Sequence, residues 1–550
     1  MSFSQLHVNM SISGFKDNGS TQLDPPSVSY SHTVKTLFRT HLDTRPTSTA
    51  GNVHVKSARV DLSKVQTIFL LGLTLTFIIM ASYALMWDKK PLLTPPPFQH
   101  HVVNVPTTNS TATTTTTAAT TTVVEVSSQK TSVDMKKLVR RIQSKLEYPP
   151  RKLPDEKDII KTDPHLFSVI PRSFLPGIKS PCWYEEFSGK TTDDPYRNNY
   201  FAMYSKSFSN TCETLRSNFR QQLHRQDGKL LRLRCLPYFY IVGQPKCGTT
   251  DLFFRLTQHP ELNFLVMKEP HWWTRKRFGY INYQKFFMKS SPVEDYLDLF
   301  DLAAQKIQAS SSGKSSPLQL ITGEASASTM WDNQVWFYLS GKEEETEPPF
   351  LVQDFIHLIQ PGAKIITILR DPTERLYSDY LYFNFMKTVN KSAEDFHQKV
   401  VEAVQLFQSC LLGKSLRTCV YSPSLAKSMH VHLNPGLYVV YLLDWLNVFP
   451  REQILVLRLE DYSANLQGTL ESVFSFLNAS PVSPKVAAEL TKNPPSNARR
   501  LGDRNLGPML PSTRNLLREF YQPFNRKLAA VLNNTAFLWR DDDVLREEDT

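Results

Sequence analysis

The pattern of apolar and polar positions divides this chain into an N-terminal third and a larger C-terminal part. Residues 65–87 form an uninterrupted run of 23 residues without a charged side chain. At about 1.5 Å per helical residue the run can cross a bilayer, and it lacks the polar face that a core helix would show. It begins too far from the N-terminus for a cleaved signal peptide. The pattern therefore predicts one transmembrane signal-anchor helix over 65–87.

The segments on either side of this run lack the periodicity of a packed domain. Residues 1–64 are polar and rich in Ser, Thr and His, which predicts a disordered tail. Threonine and alanine dominate residues 107–122, a composition that cannot bury a core and is typical of an extended, O-glycosylated stalk. We therefore expect a disordered, threonine-rich stalk over 88–166.

Short apolar runs alternate with helix-like segments in the C-terminal part. Runs typical of strands occur at 238–242, 263–266, 318–322, 365–369 and 454–459. Helix-like segments occur at 252–257, from Pro372 onwards and at 465–477. This alternation predicts an α/β fold, here a P-loop-like, three-layer α/β/α domain with a central parallel sheet over 235–540. Residues 167–234 are expected to pack on it as an extension, and 541–550 to form an acidic tail.

Cysteines and glycosylation sequons orient the predicted membrane span. The flanking charges do not, since lysines and arginines precede and follow the span about equally. All six cysteines follow the span, and so do the sequons at Asn109, Asn390 and Asn533. Both features have most meaning in an oxidising, glycosylating lumen. The sequence thus predicts a single-pass type II membrane protein with a cytoplasmic tail and a luminal domain.

The charge balance bears on the partner of that domain. A net charge of +11 suits a polyanion, although many luminal proteins are basic without such a partner. A luminal domain does not meet nucleic acid, so the polyanion that remains is an acidic glycan. The sequence leaves the oligomeric state open.

Residues 243–248, Gly-Gln-Pro-Lys-Cys-Gly, form a glycine-bounded loop between a predicted strand and a predicted helix. Free N–H groups and the helix dipole favour an anion at such a helix start. The spacing resembles the P-loop of nucleoside-triphosphate-binding proteins, but Thr249 stands where that loop has its lysine. The lysine here, Lys246, lies inside the loop. We therefore expect a loop for a shorter anion, with one cation aimed at a bridging oxygen.

A second signature occurs at 365–378, where a strand-like run leads into Arg370 and, eight residues later, Ser378. Together the two signatures resemble the donor-binding loops of Golgi carbohydrate sulfotransferases, whose sulfate donor is 3′-phosphoadenylyl sulfate (PAPS). The stretches 181–187, 268–279 and 323–333 resemble members that act on N-acetylgalactosamine 4-sulfate. The resemblance implies a Golgi membrane enzyme that sulfates the 6-hydroxyl of this sugar in chondroitin or dermatan sulfate.

The resemblance also implies how the donor is held. Lys246 is expected to bond the bridging oxygen of the departing diphosphate, which stabilises its developing charge. The residues expected around the 5′-phosphate are Cys247, Gly248, Thr249 and Thr250, with Cys247 a small residue that fits the loop. Since sulfate carries less charge than a γ-phosphate and no metal-ligand cluster recurs nearby, no obligatory metal is expected.

Three arginines and a serine complete the expected donor site. Arg370 and Ser378 would hold the 3′-phosphate, because the guanidinium offers a planar fork of donors. The alternative is that Arg370 pairs with Asp371 or Glu374. The resemblance makes Arg499 and Arg500, in a basic loop that contains glycine, further candidate donor contacts. The loop precedes 516–525, a run that resembles the family's C-terminal helix.

Glu269 is the expected general base. Transfer of a sulfuryl group to a sugar hydroxyl needs a base for the hydroxyl proton. Because Pro270 ends the preceding strand-like run, Glu269 should lie at the carboxyl edge of the sheet, where open α/β sheets bind ligands. A glutamate at this place is the base in the family that the chain resembles. The alternative is that Glu269 only forms salt bridges with Lys268 or Arg275.

A cluster of aromatic and basic residues follows this glutamate and is the candidate acceptor site. Sugars stack on aromatic rings, and sulfate or uronate groups pair with Lys or Arg. The candidate residues are Lys268, His271, Trp272, Trp273, Arg275, Lys276, Arg277 and, from the 323–333 stretch, Ser326. The alternative is a solvated basic face backed by core tryptophans. His271 suits an orienting role better than that of a second base.

The cysteines predict one disulfide by resemblance and leave the others open. The spacing of Cys410 and Cys419 resembles a disulfide of related sulfotransferases. Cys182, Cys212 and Cys235 are an odd set, so at least one is free or pairs elsewhere.

Two other functions share this general plan. A Golgi glycosyltransferase would need an Asp-x-Asp metal motif in mid-domain, and the match here lies in the charged tail at 541–543. A glycan-binding protein without catalytic activity would have no need of Lys246, Glu269, Arg370 and Ser378 together. The sequence therefore favours the sulfotransferase.

Overall fold

The computed structural model describes residues 134–540 except 263–266, 280–289, 312–319, 335–346, 384–390 and 497–498. Several predicted features lie outside the described residues. They are the N-terminal tail, the membrane span, the acidic tail, the sequons at Asn109 and Asn390, and the strand at 263–266. None of the helices that the structure describes has the length and apolar character that a bilayer crossing needs. Asn533, the remaining predicted sequon, is exposed at the end of a helix.

Seven strands and nineteen α-helices are formed by the described residues. The strands are β1 Cys182–Glu186, β2 His224–Gln226, β3 Lys229–Cys235, β4 Phe239–Gly243, β5 Gly323–Ala325, β6 Lys364–Leu369 and β7 Ile454–Arg458. The helices of the N-terminal half are α1 Met135–Leu146, α2 Glu156–Thr162, α3 Pro164–Val169, α4 Tyr200–Tyr204, α5 Lys206–Gln222, α6 Thr249–Leu256, α7 Val293–Asp298 and α8 Asp301–Ser311. The helices of the C-terminal half are α9 Val352–Ile359, α10 Pro372–Phe383, α11 Ala393–Gly413, α12 Leu416–Tyr421, α13 Pro423–Ser428, α14 Tyr438–Leu446, α15 Leu459–Ala464, α16 Leu466–Phe476, α17 Pro484–Lys492, α18 Leu501–Arg504 and α19 Pro511–Leu532.

The central sheet is parallel, in the order β5-β4-β6-β7. Its side chains alternate between two hydrophobic clusters, one on each face: Tyr240 and Val242 join the larger cluster, whereas Phe239 and Ile241 join the smaller. Every residue of β4 is buried, as expected for a parallel strand covered by helices on both faces. The predicted three-layer α/β/α fold is therefore confirmed.

The strand predicted at 318–322 lies slightly later in the chain. Within that run Ile321 forms an isolated bridge with Leu262, and the strand itself begins at Gly323. Three residues of β5 pair with β4, and β5 is the first strand in the order of the described sheet. Its carboxyl end leads directly into the serine-rich stretch that the sequence singled out.

A second sheet, antiparallel and ordered β1-β3-β2, lies in the predicted extension. Arg234 of β3 is 1% exposed and pairs with Asp298 at 2.8 Å and Asp301 at 2.9 Å, in α7 and α8. Arg232 pairs with the same two carboxylates. Because a buried charge without partners is costly, this cluster ties the small sheet firmly to the neighbouring helices.

The boundary predicted for the stalk was wrong at its C-terminal end. Residues 135–146 form α1, and its buried side chains Leu138, Ile142 and Leu146 recur every fourth residue. This spacing places them on one helix face, which packs against α19. The threonine-rich composition further upstream does not extend to this amphipathic helix.

The cysteine predictions agree with the structure. Cys410 and Cys419 form a disulfide with an S–S distance of 2.03 Å, as predicted. Cys182 pairs with Cys235, which lies directly opposite it in the register of β1 and β3, and Cys212 is free and buried. The helix predicted at 516–525 is also confirmed, as part of α19.

Candidate active site

The glycine-bounded loop joins β4 to α6 at the carboxyl edge of the parallel sheet. Gly248, the residue before α6, has a φ of 86°, a left-handed conformation that glycine adopts without strain. A Cβ at this position would lie 2.8 Å from Leu459 Cδ1, so a side chain would also clash. The loop therefore places the start of α6 against a cleft in which Gly248, Thr249 and Thr250 are lining residues.

Lys246 lies in this cleft, with its Nζ 3.7 Å from the centroid of the Tyr382 ring. Burial lowers the pKa of Lys246 to about 8, with Arg370 and Arg500 also lowering it and Asp379 opposing them. The ammonium is thus held in a partly desolvated, electropositive site. Such a cation gains most from an anionic ligand.

Cys247 follows Lys246 but does not line the cleft. Its side chain is fully buried, and its Sγ lies 3.8 Å from the Tyr438 hydroxyl. Burial raises the pKa of this thiol to about 12, which keeps it protonated at neutral pH. The structure therefore supports the interpretation of Cys247 as a small residue that fits, and corrects its place among the donor-binding side chains.

Arg370 and Ser378 both face the cleft, one just before α10 and the other within it. Among the described residues no ion pair to the Arg370 guanidinium is found, and its Nε is buried without a hydrogen-bond partner. Asp371 instead accepts from the Thr373 amide at 2.8 Å, and Glu374 pairs with Arg514. The alternative that Arg370 pairs with a neighbouring carboxylate was therefore wrong, and an unpaired guanidinium faces the cleft.

Arg499 and Arg500 approach the same cleft from the loop before α18. Both are exposed, and their guanidinium carbons lie 5.6 Å from the Tyr377 ring and 5.9 Å from the Tyr382 ring, respectively. The loop is anchored to α6 because the Ser496 amide donates to Asp251 Oδ1 at 2.7 Å. The structure thus places both predicted arginines in the lining of the cleft, and their contact with the donor stays a prediction.

Glu269 enters the cleft from a strained turn beside β5. Glu269 and His271 have φ values of 63° and 51°, in the left-handed region that residues with a side chain rarely adopt. The Glu269 amide donates to the Ala325 carbonyl at 2.9 Å, and the Ala327 amide donates back to Glu269 Oε2 at 3.1 Å. Lys268 pairs with Oε1 of the same carboxylate. The carboxylate therefore points into the cleft at a fixed place.

The pKa of Glu269 lies below its ordinary value. Burial alone would raise it, but Lys268, His271 and the Ala327 amide together lower it further than burial raises it. The group is thus ionised at neutral pH and able to accept a proton. Glu269 forms the salt bridge with Lys268 that the alternative predicted, and it also lines the cleft. The role of Glu269 as a base stays a prediction.

His271 orients this carboxylate. Its Nε2 lies 3.1 Å from Glu269 Oε2, and its Nδ1 lies 2.7 Å from the Ser328 hydroxyl, which in turn lies 2.8 Å from Thr274 Oγ1. Burial, followed by the positive charge of Arg275, lowers the pKa of His271 to about 3. A neutral imidazole donates from Nε2 to the carboxylate and accepts at Nδ1 from Ser328. The geometry fits the orienting role.

The basic cluster divides in the structure. Arg275 and Lys268 line the cleft, and Arg275 is held by Asp332 at 2.7 Å. Lys276 lies 5.2 Å from the Tyr200 and Phe201 ring centroids, away from the cleft lining.

The remaining acceptor candidates are buried outside the cleft lining, and their predicted contacts with the acceptor were wrong. Arg277 is enclosed and pairs with Asp163 at 2.9 Å. Trp272 is 2% exposed, and its ring stacks on Tyr296 at 4.6 Å. The equally buried Trp273 donates its Nε1–H to the Tyr296 hydroxyl at 3.1 Å. Ser326 is also buried and accepts from the His271 amide. Core packing thus accounts for these residues. For the two tryptophans this agrees with the alternative, in which they belong to the core behind the basic face.

Several cleft residues have no signal in the sequence pattern. Asp379 pairs with His432 at 2.7 Å beside Lys246, and Tyr382 lies under the lysine. They are brought there by α10 and by a segment more than fifty residues further along the chain. The one usable signal is the position of Tyr382 four residues after Ser378, which places both side chains on one face of α10.

The cleft has a volume of about 1390 Å³, and the described residues that line it include nine Lys or Arg and five Asp or Glu. Within the described part of the chain no group of three or more His, Cys, Asp or Glu is arranged to hold a metal ion. The loop cation, the oriented carboxylate and the unpaired guanidinium share this one cleft. Such an arrangement can bind a polyanion and accept a proton beside it.

Comparison with known proteins gives a consistent result. A family model described as a sulfotransferase domain matches residues 237–499. Carbohydrate sulfotransferase 15 of Homo sapiens is 55% identical over 420 residues, 76% of this chain and 74% of that protein. Its namesake in Rattus norvegicus is 54% identical with the same coverage. A solved sulfotransferase from Alicyclobacillus acidocaldarius has 20% identity and a TM-score of 0.35, covering 55% of this chain and 98% of that one.

Proposed function

Because the chain belongs to the carbohydrate sulfotransferase family, we propose that it transfers the sulfuryl group of PAPS to the 6-hydroxyl of 4-sulfated N-acetylgalactosamine in chondroitin or dermatan sulfate. The observation that carries the proposal is the single cleft shared by Lys246, Glu269 and Arg370. Incubation with PAPS labelled in its sulfate and with chondroitin 4-sulfate, followed by disaccharide analysis, tests it. A 4,6-disulfated product supports the proposal, and label at another position, or no transfer, contradicts it.

The donor site fits PAPS on an observation of this chain. The buried Nε of Arg370 has no hydrogen-bond partner among the residues that the structure describes, and a phosphate would supply one. The start of α6 with Thr249 and Thr250 suits the 5′-phosphate, and Arg370 with Ser378 suits the 3′-phosphate. When bound, PAPS supplies a sulfuryl group that is attached to a phosphate oxygen. That oxygen departs as part of adenosine 3′,5′-diphosphate.

The roles of the chain's own residues follow from their charges. Glu269 takes the proton of the acceptor hydroxyl as that oxygen attacks sulfur. Its carboxylate has about four lone-pair sites, and Lys268, Ala327 and His271 occupy three of them, which leaves one for the hydroxyl. Lys246 keeps its ammonium beside the leaving oxygen and offsets the negative charge that develops there.

The pH dependence of the reaction should show the titration of Lys246. Its ammonium is lost above about pH 8, so kcat/KM for PAPS, which reports the free enzyme, should fall there. The change Lys246→Arg keeps the charge to much higher pH and should move the fall upward. Initial rates at subsaturating PAPS provide the measurement. A fall at the same pH in both enzymes would assign it to another group.

Acceptor choice is expected to depend on Arg275. A 4-sulfate needs a cation near the base, and of the three consecutive basic residues Arg275 alone lines the cleft. Arg275→Ala should lower kcat/KM for chondroitin 4-sulfate by about tenfold to a hundredfold, the range of a lost charged hydrogen bond. It should change the rate on desulfated chondroitin much less.

Lys276→Ala is the matched control for this change, because it removes a neighbouring cation outside the cleft lining. Rates on the two acceptors are compared for each variant. An equal loss on both acceptors in Arg275→Ala would contradict the sulfate pocket while leaving the sulfotransferase activity in place.

A type II arrangement in the Golgi membrane is part of the proposal. It is supported by the uncharged run at 65–87 and by the position of all six cysteines after it. Protease protection of microsomes that contain the full chain tests it. Digestion of the C-terminal part in sealed microsomes would contradict a luminal domain.

A further inference from the structure

The turn that carries Glu269 is held along one side by the last residue of β5 and the segment that follows it. The Ala325 carbonyl accepts from the Glu269 amide at 2.9 Å, and the Ala327 amide donates to Glu269 Oε2 at 3.1 Å. The main chain of one short segment thus fixes both the backbone and the carboxylate of the proposed base. Its position relative to the cleft depends on where this segment lies.

Two hydroxyls of the same segment hold His271. The Ser326 hydroxyl accepts from the His271 amide at 3.0 Å, and the Ser328 hydroxyl lies 2.7 Å from Nδ1. The positive φ values of Glu269 and His271 make this turn unfavourable by itself. Such a conformation persists only where surrounding contacts hold it, and these hydroxyls are among the contacts.

Behind the segment lies a buried acid that the reaction does not use. Glu324 is 1% exposed in the middle of β5, beside Tyr240 in the register of the sheet, and its Oε1 accepts from the Ser326 hydroxyl at 2.5 Å. It does not line the cleft. An apolar side chain could fill such a site at lower cost, so the carboxyl group calls for an explanation.

The charge state of Glu324 follows from the groups around it. Burial raises the pKa of Glu324 to about 8, with Glu269 raising it and the Ser326 hydrogen bond and Lys268 lowering it. Tyr240 from β4 and Tyr296 from α7 also face it, and the pKa of each phenol is raised well above its usual value by burial. Burial thus favours the protonated acid at neutral pH, beside the un-ionised phenols of Tyr240 and Tyr296.

We propose that Glu324 is a positioning residue for the base: it fixes the Ser326 hydroxyl, which receives the His271 amide and so holds the strained turn with Glu269 in the cleft. The chain of contacts runs from Glu324 to Ser326, then to the His271 amide, and through its ring to Glu269 Oε2. Glutamine has the shape of the protonated acid and should replace it. The inference rests on the proposed function for its meaning in catalysis.

Variants of the full chain test this role through kcat and KM. Glu324→Ala should lower kcat by about tenfold to a hundredfold, because a misplacement of about 1 Å costs that much. KM for PAPS and the affinity for adenosine 3′,5′-diphosphate should stay unchanged, since the donor site lies elsewhere. Glu324→Gln should restore most of the rate.

Ser326→Ala is the matched second variant, and it keeps the test valid where Glu324→Ala fails to fold. It should lower kcat as Glu324→Ala does, and the double variant should lose no more than either alone, because both changes break one chain of contacts. Additive losses would overturn the proposal, and so would a Glu324→Gln variant as slow as Glu324→Ala.

Amide hydrogen exchange over residues 267–274 gives a readout that needs no acceptor. Exchange of this peptide should speed up in Ser326→Ala and Glu324→Ala but not in Glu324→Gln, because only the first two release the His271 amide. Unchanged exchange in both alanine variants would overturn the inference. Transfer by the unmutated chain is measured in the same series and tests the proposed function separately.

Discussion

Changing Glu269 to glutamine should leave donor binding intact and lower kcat by about 10²–10⁴-fold, the usual contribution of a general base. Glutamine keeps the size of the side chain and its acceptor oxygen for the Ala327 amide, but it cannot take a proton from the acceptor hydroxyl. The measurement is turnover with saturating PAPS and chondroitin 4-sulfate. Affinity for adenosine 3′,5′-diphosphate is measured by calorimetry on the same variant.

Glu186→Gln provides the matched control, since this exposed carboxylate of β1 pairs only with Lys229 at the surface in the described structure. It should have the rate of the unmutated chain. If Glu269→Gln kept near-full turnover, the base would have to be another group. A loss of nucleotide affinity would indicate instead that the substitution disturbs the loop.

Removal of the loop cation should produce the second large effect. Lys246→Ala leaves no positive charge at the leaving oxygen, and loss of one such group typically lowers kcat by about 10²–10³-fold. Lys246 Nζ lies on the Tyr382 ring, and its expected partner is the leaving oxygen, where charge develops during the reaction. Its removal should therefore change the affinity for the diphosphate less than it changes the rate. Both quantities are measured on the same preparation.

Arg370→Ala is the comparison that gives this result its meaning. Arg370 would contact a phosphate that does not react, so its loss should weaken nucleotide binding by about tenfold to a hundredfold and change kcat little at saturating PAPS. Two outcomes would exchange the assignments. One is that Lys246→Ala weakens diphosphate binding and keeps kcat, and the other is that Arg370→Ala lowers kcat and keeps diphosphate binding.

The parts of the site that follow from local pattern could be read from the sequence. The strand, loop and helix around Lys246 have a fixed order along the chain, and the same holds for the strand that leads into Arg370. Parallel strands end at one edge of a sheet, which explains why these two signatures meet there. The resemblance supplied the roles, because the pattern alone predicts only an anion site.

The orientations of consecutive residues were not predictable in this way. Arg275, Lys276 and Arg277 are equivalent in the sequence. Arg275 is the N-cap of a 3₁₀ turn that begins at Lys276, and within such a turn successive side chains point about 120° apart. One faces the cleft, the next lies near aromatic rings and the third is buried against Asp163. Distant segments decide which direction is the cleft.

Buried polar partners were missed for a related reason. Glu324 and Asp251 make contacts that are decided by tertiary structure, and nothing near them in the sequence shows that they will be enclosed. Asp251 receives the Ser496 amide from a loop 245 residues away. A predicted helix start could place Asp251 in the first turn, but its partner only becomes visible in the folded chain.

If the chain is anchored in a membrane as proposed, the packing of α1 limits where a protease can release the folded domain. Leu138 and Ile142 are fully buried, and Lys145 Nζ donates to the Lys414 carbonyl at 2.6 Å. A protease that cut after α1 would remove apolar side chains worth about 1.5–3 kcal/mol each from the core. In that arrangement a released form that keeps this packing is expected to arise by cleavage before α1, and an antibody to α1 would detect it.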